Sequence, residues 1–220
     1  MEHSHAAPSG APAVVGPAAA LRRPRDYLTA EPAGVPVLVV RQPDGTLRAF
    51  LNVCRHRGVR VVTPCSGNRR SFTCPYHGWT YGAEGELLGI PYRRAFTGVV
   101  REERGLTPVA VQERHGLVWV RSSGRSDEVA GPLGLDIPPA PLELDGFGVL
   151  DFHQDVEERA WPEVRAGVLG QESARTVCEL GPTTVAIRTP NAVRLCTMSP
   201  LPADAGATTV RWWLLGPGSG

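Results

Sequence analysis

Two short motifs that combine cysteine with histidine constrain this chain more than any other feature. The sequence reads CRH at residues 54–56 and CPYH at residues 74–77, and each motif follows a predicted strand. Thiolate and imidazole groups are the ligands that zinc and iron–sulfur centres use. The motifs therefore predict one metal centre on two loops, with Cys54, His56, Cys74 and His77 as its ligands.

Two metal groups suit this ligand set. Two cysteines and two histidines match the tetrahedral coordination of Zn²⁺. A [2Fe–2S] cluster commonly takes four thiolates, and imidazoles in place of two of them on one iron raise its reduction potential. If both thiolates bind an inner iron and both imidazoles an outer one, the histidine edges face solvent or a partner protein. The motifs alone leave both groups open.

The composition favours turn-rich β structure. The 220 residues include 25 glycines and 21 prolines, and 42% of the chain is apolar and 20% charged. These proportions are ordinary for a globular protein, and the abundant turn formers favour short strands over a helical bundle. The net charge of +1 provides no basic surface for nucleic acid or for an anionic membrane.

The sequence predicts a cytoplasmic protein without membrane contact. Residues 1–20 lack the basic start of a signal peptide, and the arginine pair in residues 22–26 (RRPRD) is not followed by an apolar stretch. No apolar run approaches the roughly 18 residues that a membrane span needs. The five cysteines suit a metal site with additional free thiols in a reducing compartment.

Turn signals and composition divide the chain into four segments. We expect a disordered tail at residues 1–24, a β domain at 25–122, a linker rich in Gly, Pro and Ser at 123–147, and a second domain at 148–220. In the first domain, strands are predicted at residues 35–41, 46–53, 59–62, 70–74, 79–81, 108–113 and 117–121. In the second, a strand at 148–153 and a helix at 156–173 precede strands at 175–180, 183–189, 192–198 and 207–215.

The first half resembles the Rieske domain of ring-hydroxylating oxygenase α subunits. The similar stretches are NVCRHRG, FTCPYHGWTY, GELLGIP and GLTPVAVQERHGLVWV, within residues 26–120. The resemblance implies a Rieske-type [2Fe–2S] cluster rather than zinc, in a Rieske-type antiparallel β-sandwich. Respiratory-chain Rieske proteins add a disulfide whose cysteines would fall near Val59 and Tyr76, so the resemblance is to the soluble oxygenase type. Trp79 is expected to shield the cluster from water, and Tyr76 to donate a hydrogen bond.

The second half resembles the helix-grip catalytic domain that follows in the same family. That domain binds a mononuclear Fe(II) through two histidines, spaced as H-x₄-H, and a carboxylate. The stretch AWP at residues 160–162 resembles the start of the helix that precedes this motif. Carried forward, the pattern places the preceding acidic residue on Gly170 and the two histidines on Ser173 and Cys178.

The iron ligands of that pattern are missing from this sequence. After His77 the only histidines are His115 and His153, so no H-x₄-H motif follows the Rieske-like segment. We therefore expect a small α+β remnant of a helix-grip domain, with mononuclear Fe(II) absent and no catalytic residues assigned. The fold class predicted for the whole chain is mainly β.

Three functions follow from this combination. The favoured one is electron transfer, in which a ferredoxin or flavin reductase donates electrons that the chain passes to a partner oxygenase subunit. The second is a mono- or dioxygenase α subunit whose iron site is unrecognised or supplied by another chain. The third is a non-catalytic structural or redox-sensing subunit.

Overall fold

The computed structural model describes residues 11–91, 98–121, 133, 142, 144–170, 176–201 and 204–218. The first unit contains β1 (Ala13–Pro17), β2 (Asp26–Ala30), β3 (Val37–Arg41), β4 (Leu47–Leu51), β5 (Ser66–Asn68), β6 (Ser71–Thr73), β7 (Thr80–Gly82), β8 (Leu87–Gly89), β9 (Pro108–Arg114) and β10 (Leu117–Arg121). The second unit contains β11 (Phe147–Glu157), α1 (Trp161–Gly170), β12 (Thr176–Glu179), β13 (Thr184–Arg188), β14 (Val193–Leu201) and β15 (Asp204–Pro217).

The described part of the chain forms three antiparallel sheets. A seven-stranded sheet runs in the order β1-β10-β9-β4-β3-β2-β5, and a three-stranded sheet in the order β6-β7-β8 packs against it. The second unit is a five-stranded sheet in the order β11-β15-β14-β13-β12, with α1 on one face. The prediction of a mainly β chain is confirmed.

The central strand β3 shows why the first unit is a sandwich. Four consecutive residues, VLVV at 37–40, are fully buried, and their side chains alternate between two cores. Leu38 and Val40 face the three-stranded sheet, whereas Val37 and Val39 face the opposite side. A strand buried on both faces reads as a continuous apolar run rather than as an alternating pattern.

Tight turns connect strands that the sequence predicted. Between β3 and β4, Gly45 has φ +83° and its N–H bonds to the Gln42 carbonyl at 3.0 Å. Between β9 and β10, His115 and Gly116 both have positive φ, 53° and 68°. Two central residues with positive φ are typical of the type I′ turn that matches strand twist.

The N-terminal segment is ordered from residue 11 onward. The prediction of a disordered tail over residues 1–24 is wrong for residues 11–24, because β1 pairs with β10 at the edge of the large sheet. Val14, Val15 and Leu21 are at most 4% exposed. Burial of these side chains supplies the free energy that orders the segment. Residues 1–10 lie outside the described part of the chain.

Two further predictions need correction. Residues 59–62 form no strand, because Asn52 bonds to both the N–H and the carbonyl of Val62 and holds the segment as a loop. The helix predicted at 156–173 begins only at Trp161, since Val156 still belongs to β11. Pro162 accordingly lies in the first turn, where its missing N–H costs nothing. Residues 171–175 lie outside the described ranges.

The two units share a hydrophobic core. Side chains from β1, β9 and β10 pack with side chains from β13, β14 and β15, and Trp119 and Trp213 are among them. Leu133, Leu142 and Leu144, which fall within the predicted linker, are buried in the same core. The described parts of the linker therefore tie the units together rather than separate them.

Candidate metal centre

Two loops with the same backbone pattern meet at one end of the first unit. In each, the cysteine carbonyl accepts a hydrogen bond from the N–H of a glycine four residues later: Gly58 to Cys54 at 2.9 Å and Gly78 to Cys74 at 3.0 Å. Both glycines have positive φ, 75° and 70°, which side chains rarely adopt. The loops therefore bend back on themselves and bring the histidines close to the cysteines.

The closing hydrogen bonds of the two loops also match. The Cys54 N–H bonds to the Val59 carbonyl and the Cys74 N–H to the Trp79 carbonyl, both at 2.8 Å. Each cysteine thus closes its own loop with two hydrogen bonds, one from its N–H group and one to its carbonyl. β6 leads directly into Cys74, so the rigid sandwich positions this thiol.

The four predicted ligands form an inner pair and an outer pair. Cys54 and Cys74 are 3% and 2% exposed and belong to the core between the two sheets. Burial raises the pKa of the Cys74 thiol, and the Cys54 side chain contributes further to this raised pKa. The rings of His56 and His77 lie 4.7 Å apart between centroids at 63°, with His56 partly buried and His77 exposed. The structure therefore places both cysteines in one core and the two histidine rings against each other, at the ends of the two loops that the sequence singled out.

Burial controls the acid–base chemistry of this site. It raises the pKa of the Cys74 thiol, against the opposing effect of backbone N–H groups at Tyr76 and His77. It lowers the pKa of His56, and the neighbouring His77 lowers it further. A buried thiol gives up its proton readily only when a cation or a metal stabilises the thiolate.

Tyr81 is a residue of the site that sequence reasoning missed. Its hydroxyl lies 3.3 Å from Cys54 Sγ and accepts a hydrogen bond from the Arg55 N–H at 3.0 Å. Desolvation raises the pKa of this hydroxyl, so it remains protonated. The sequence assigned such a bond to Tyr76, but that ring is 57% exposed and lies 3.8 Å from the His77 ring. The only sequence signal for Tyr81 was its position in the strand after the second motif.

Trp79 covers one side of the histidine pair. Its ring stacks on His56 with centroids 4.9 Å apart and an interplanar angle of 5°. At 2% exposure it shields the inner part of the site from water. On the far side of the second loop, Pro91 packs so closely on Gly78 that a Cβ there would lie 2.7 Å from Pro91 Cγ.

The chemistry of the donor set fits a group with two metals, because the donors are two sulfurs and two nitrogens at different depths. The four donors fall into a buried sulfur pair and a shallower nitrogen pair. Two sulfurs on one metal and two nitrogens on the other are the Rieske division of ligands.

A family model described as the Rieske [2Fe-2S] domain matches residues 11–112. This stretch is a Rieske [2Fe–2S] domain. The match begins near β1, in agreement with the correction to the tail. It includes both loops of the metal centre and, with them, all four candidate ligands.

Curated relatives match this Rieske domain. The large oxygenase component of a naphthalene 1,2-dioxygenase system from Pseudomonas aeruginosa is 46% identical over 99 residues, which are 44% of this chain and 22% of the relative. The biphenyl 2,3-dioxygenase α subunit of Rhodococcus jostii (strain RHA1) is 39% identical over 110 residues, 50% of this chain and 24% of the relative. The chain is thus a homologue of Rieske dioxygenase large subunits, and the match covers less than a quarter of their length.

The likeness in fold extends beyond the Rieske domain. A crystal structure of the quaternary ammonium Rieske monooxygenase CntA, with gamma-butyrobetaine, superposes with a TM-score of 0.73 at 20% identity. The superposition covers 96% of this chain and 70% of CntA. Both units of this chain therefore have the fold of a Rieske oxygenase.

Two of the three positions that the family pattern assigned to the iron site lie in the described part of the second unit. Gly170 ends α1, Cys178 is partly buried on β12, and Ser173 lies outside the described residues. The His153 side chain on β11 is 53% exposed, with Asp155 Oδ2 3.8 Å from its Nε2. His115 lies in the β9–β10 turn. Among the described residues, no helix is long and apolar enough to cross a membrane.

Proposed function

We propose that the Rieske cluster is held by Cys54, His56, Cys74 and His77, and that the chain acts as a one-electron carrier. The main support for this proposal is the arrangement of these side chains, with both thiols buried in the sandwich and both imidazoles at its end. When bound, a Rieske cluster takes up and releases single electrons. The exposed edge of His77 gives a partner protein its closest approach to that cluster.

The protein residues control the surroundings of the cluster. The thiols of Cys54 and Cys74 would bind one iron and the imidazoles of His56 and His77 the other. Trp79 excludes water from the His56 side, and the Tyr81 hydroxyl donates toward Cys54. Hydrogen bonds to cluster sulfur and low solvent access set the reduction potential of such centres.

We further propose that oxygen activation takes place on another polypeptide. A mononuclear iron of the oxygenase type requires two histidines and a carboxylate on one face. Between the end of α1 at Gly170 and the start of β12 at Thr176 the sequence is QESAR, which contains no histidine. His153 is the only histidine between residues 123 and 220. These facts favour an accessory component over an α subunit with its own iron site.

The electron donor would be a ferredoxin or a flavin reductase with an acidic docking surface. The two loops, residues 54–59 and 74–79, contain Arg55 and Arg57 and no carboxylate. Both arginines are exposed, as is Tyr76 beside His77. Complementary charge accelerates the encounter of two proteins and fixes their orientation. A partner oxygenase subunit would receive the electrons at the same end.

Metal analysis combined with redox titration tests this function. The purified, anaerobically reconstituted chain should hold two irons and two acid-labile sulfides and show a reversible one-electron Rieske couple. The reduced chain should be reoxidised by a partner oxygenase and should not consume oxygen with substrate on its own. A third iron with substrate-dependent oxygen consumption would instead establish the α-subunit function.

A separate variant tests whether the cluster is needed for function. Cys54→Ser removes one thiolate, so it should abolish electron delivery to a partner oxygenase. If the variant folds and supports the partner at the wild-type rate, the structural role stands and electron transfer is excluded. Far-UV circular dichroism of the variant separates this result from simple unfolding.

A further inference from the structure

A partly enclosed cavity of about 160 Å³ lies where the two units meet, away from the metal centre. Its walls come from both units and include the residues Ala20, Leu28, Cys65, Phe152, Arg211 and Trp213. The rings of Phe152 and Trp213 lie 5.2 Å apart between centroids and form its aromatic side. The cavity therefore combines apolar walls with one guanidinium and one thiol.

Arg211 is the cationic group of this cavity, and the two groups that accept its hydrogen bonds are neutral. It projects from β15 and donates from Nε to Gln154 Oε1 at 2.7 Å and from Nη1 to the backbone carbonyl of Thr29. Among the described residues, Arg211 forms no ion pair. Glu31, a nearby carboxylate, is held instead by Arg60 at 2.8 Å. Desolvation lowers the pKa of Arg211, which agrees with its partial burial.

A partly buried cation without a carboxylate partner has strong unused capacity to bind an anion. Charged groups removed from water are costly unless an opposite charge or hydrogen bonds compensate them. Of the five N–H donors of a guanidinium, the bonds to Gln154 and Thr29 account for two. The remaining donors lie on Nη1 and Nη2, where a carboxylate can accept two parallel hydrogen bonds.

The apolar walls define the rest of the ligand. An apolar protein cavity of roughly 150 Å³ accommodates benzene, and this cavity has about the same volume. Aromatic walls favour a planar ring, which they contact edge-on or in an offset stack. The cavity is too small for a larger cofactor.

We propose that this cavity binds a small aromatic monocarboxylate, with the carboxylate on Arg211 and the ring against Phe152, Trp213 and Leu28. The site is formed by both units and is separate from the metal centre. Its occupancy therefore does not depend on the function proposed for the cluster. Ligand binding would supply the anion that the guanidinium lacks in the described part of the chain.

Titration calorimetry on the cluster-loaded chain tests the proposal, with benzoate as the probe and neutral benzamide as its matched control. Benzoate should bind at one site per chain and benzamide about tenfold or more weakly, since a charge-assisted pair contributes about 1.4 kcal/mol or more. Arg211→Gln should lose about the same factor, whereas Arg48→Gln, at an exposed ion pair elsewhere, should not change binding. Equal binding of benzoate and benzamide would overturn the proposal, as would no benzoate binding.

Cys65 provides an independent readout. Benzoate should slow alkylation of Cys65 by iodoacetamide several-fold, measured by peptide mass spectrometry, while alkylation of the partly buried Cys178 remains unchanged. Ala20→Met fills the cavity without removing the guanidinium, so it should abolish both binding and protection even if Arg211→Gln fails to fold. If benzoate does not protect Cys65, or if it protects Cys178 equally, the ligand is not in this cavity.

Discussion

At the metal centre, the chemistry of each ligand depends on neighbours that lie outside the two motifs. The Cys54 sulfur approaches the hydroxyl of Tyr81, which is 27 positions away in sequence. His56 stacks on Trp79, a residue of the opposite loop. The motif therefore predicts which residues are ligands, whereas their redox properties would follow from side chains that only folding brings near.

The Tyr81 hydroxyl should raise the reduction potential of the cluster. Bound to iron, Cys54 carries no proton, so the tyrosine donates the hydrogen bond and stabilises the more negative reduced state. Tyr81→Phe should lower the midpoint potential by about 20–60 mV, the equivalent of one hydrogen bond for a one-electron couple. Redox titration followed by electron paramagnetic resonance measures the change. Tyr76→Phe is the control and should leave the potential unaltered; equal shifts in both variants would refute this role.

The histidine assignment makes a spectroscopic prediction. His77→Ala removes one imidazole from the outer iron, so the variant should lose the visible and electron paramagnetic resonance signature of a Rieske cluster. His153→Ala removes an exposed histidine of β11 and should keep the wild-type spectrum. An unchanged spectrum for His77→Ala would show that this residue is not a ligand.

At the scale of the elements, the two metal loops depend on backbone conformations that side chains oppose. Gly58 and Gly78 occupy equivalent positions with positive φ, and each closes a loop around its cysteine. Strands β6 and β7 flank the second loop, and their pairing at Thr73 and Thr80 fixes both ends of that loop. The loops are therefore preformed by the sandwich rather than shaped by the metal alone.

Gly78→Ala tests this preformation. The new Cβ would meet Pro91 Cγ at 2.7 Å and would also force alanine to φ +70°. We expect a loss of about 1–3 kcal/mol of stability and a lower iron content per chain. Thermal unfolding and iron analysis measure these effects. Gly89→Ala is the control, because a Cβ there meets nothing within 4 Å; a similar loss in this variant would exclude the proposed strain.

At the scale of the whole molecule, one core joins the Rieske domain to the second sheet. The hydrogen bond from Arg211 to the Thr29 carbonyl adds a polar connection across the same junction. Because apolar side chains of both sheets are buried against each other, separation of the units would expose them to water at a large cost in free energy. We therefore expect the two units to unfold together.

Leu195→Ala should reveal this coupling. Leu195 is fully buried in the shared core, and its truncation should cost about 2–5 kcal/mol. The melting temperature should fall by about 4–20 °C, equally in far-UV circular dichroism and in the visible signal of the cluster. Leu150→Ala removes a side chain that is 58% exposed and should have little effect. If the cluster signal of Leu195→Ala melts at the wild-type temperature, the units are independent.

Local sequence predicted the features that depend on neighbouring residues. The strands at β3, β4, β9 and β10 were predicted because β-branched runs end at turn residues such as Asp44 and Gly45. The helix α1 was predicted to begin too early, at residue 156, because no strong signal in the sequence marks the end of β11. In contrast, β1 was assigned to a tail because its sequence, AVVGP, is short and rich in turn formers.

The sequence by itself determined the metal chemistry: two thiols and two imidazoles at this spacing suit few metal groups, and the resemblance of the surrounding residues selected the Rieske cluster. Only the tertiary structure decided what surrounds the cluster and how the halves connect. Tyr81 beside Cys54, β1 beside β10, and Arg211 at the cavity between the units are all contacts between distant positions. Such contacts depend on how sheets pack and on which charges are left without partners, and neither property is encoded in a local pattern.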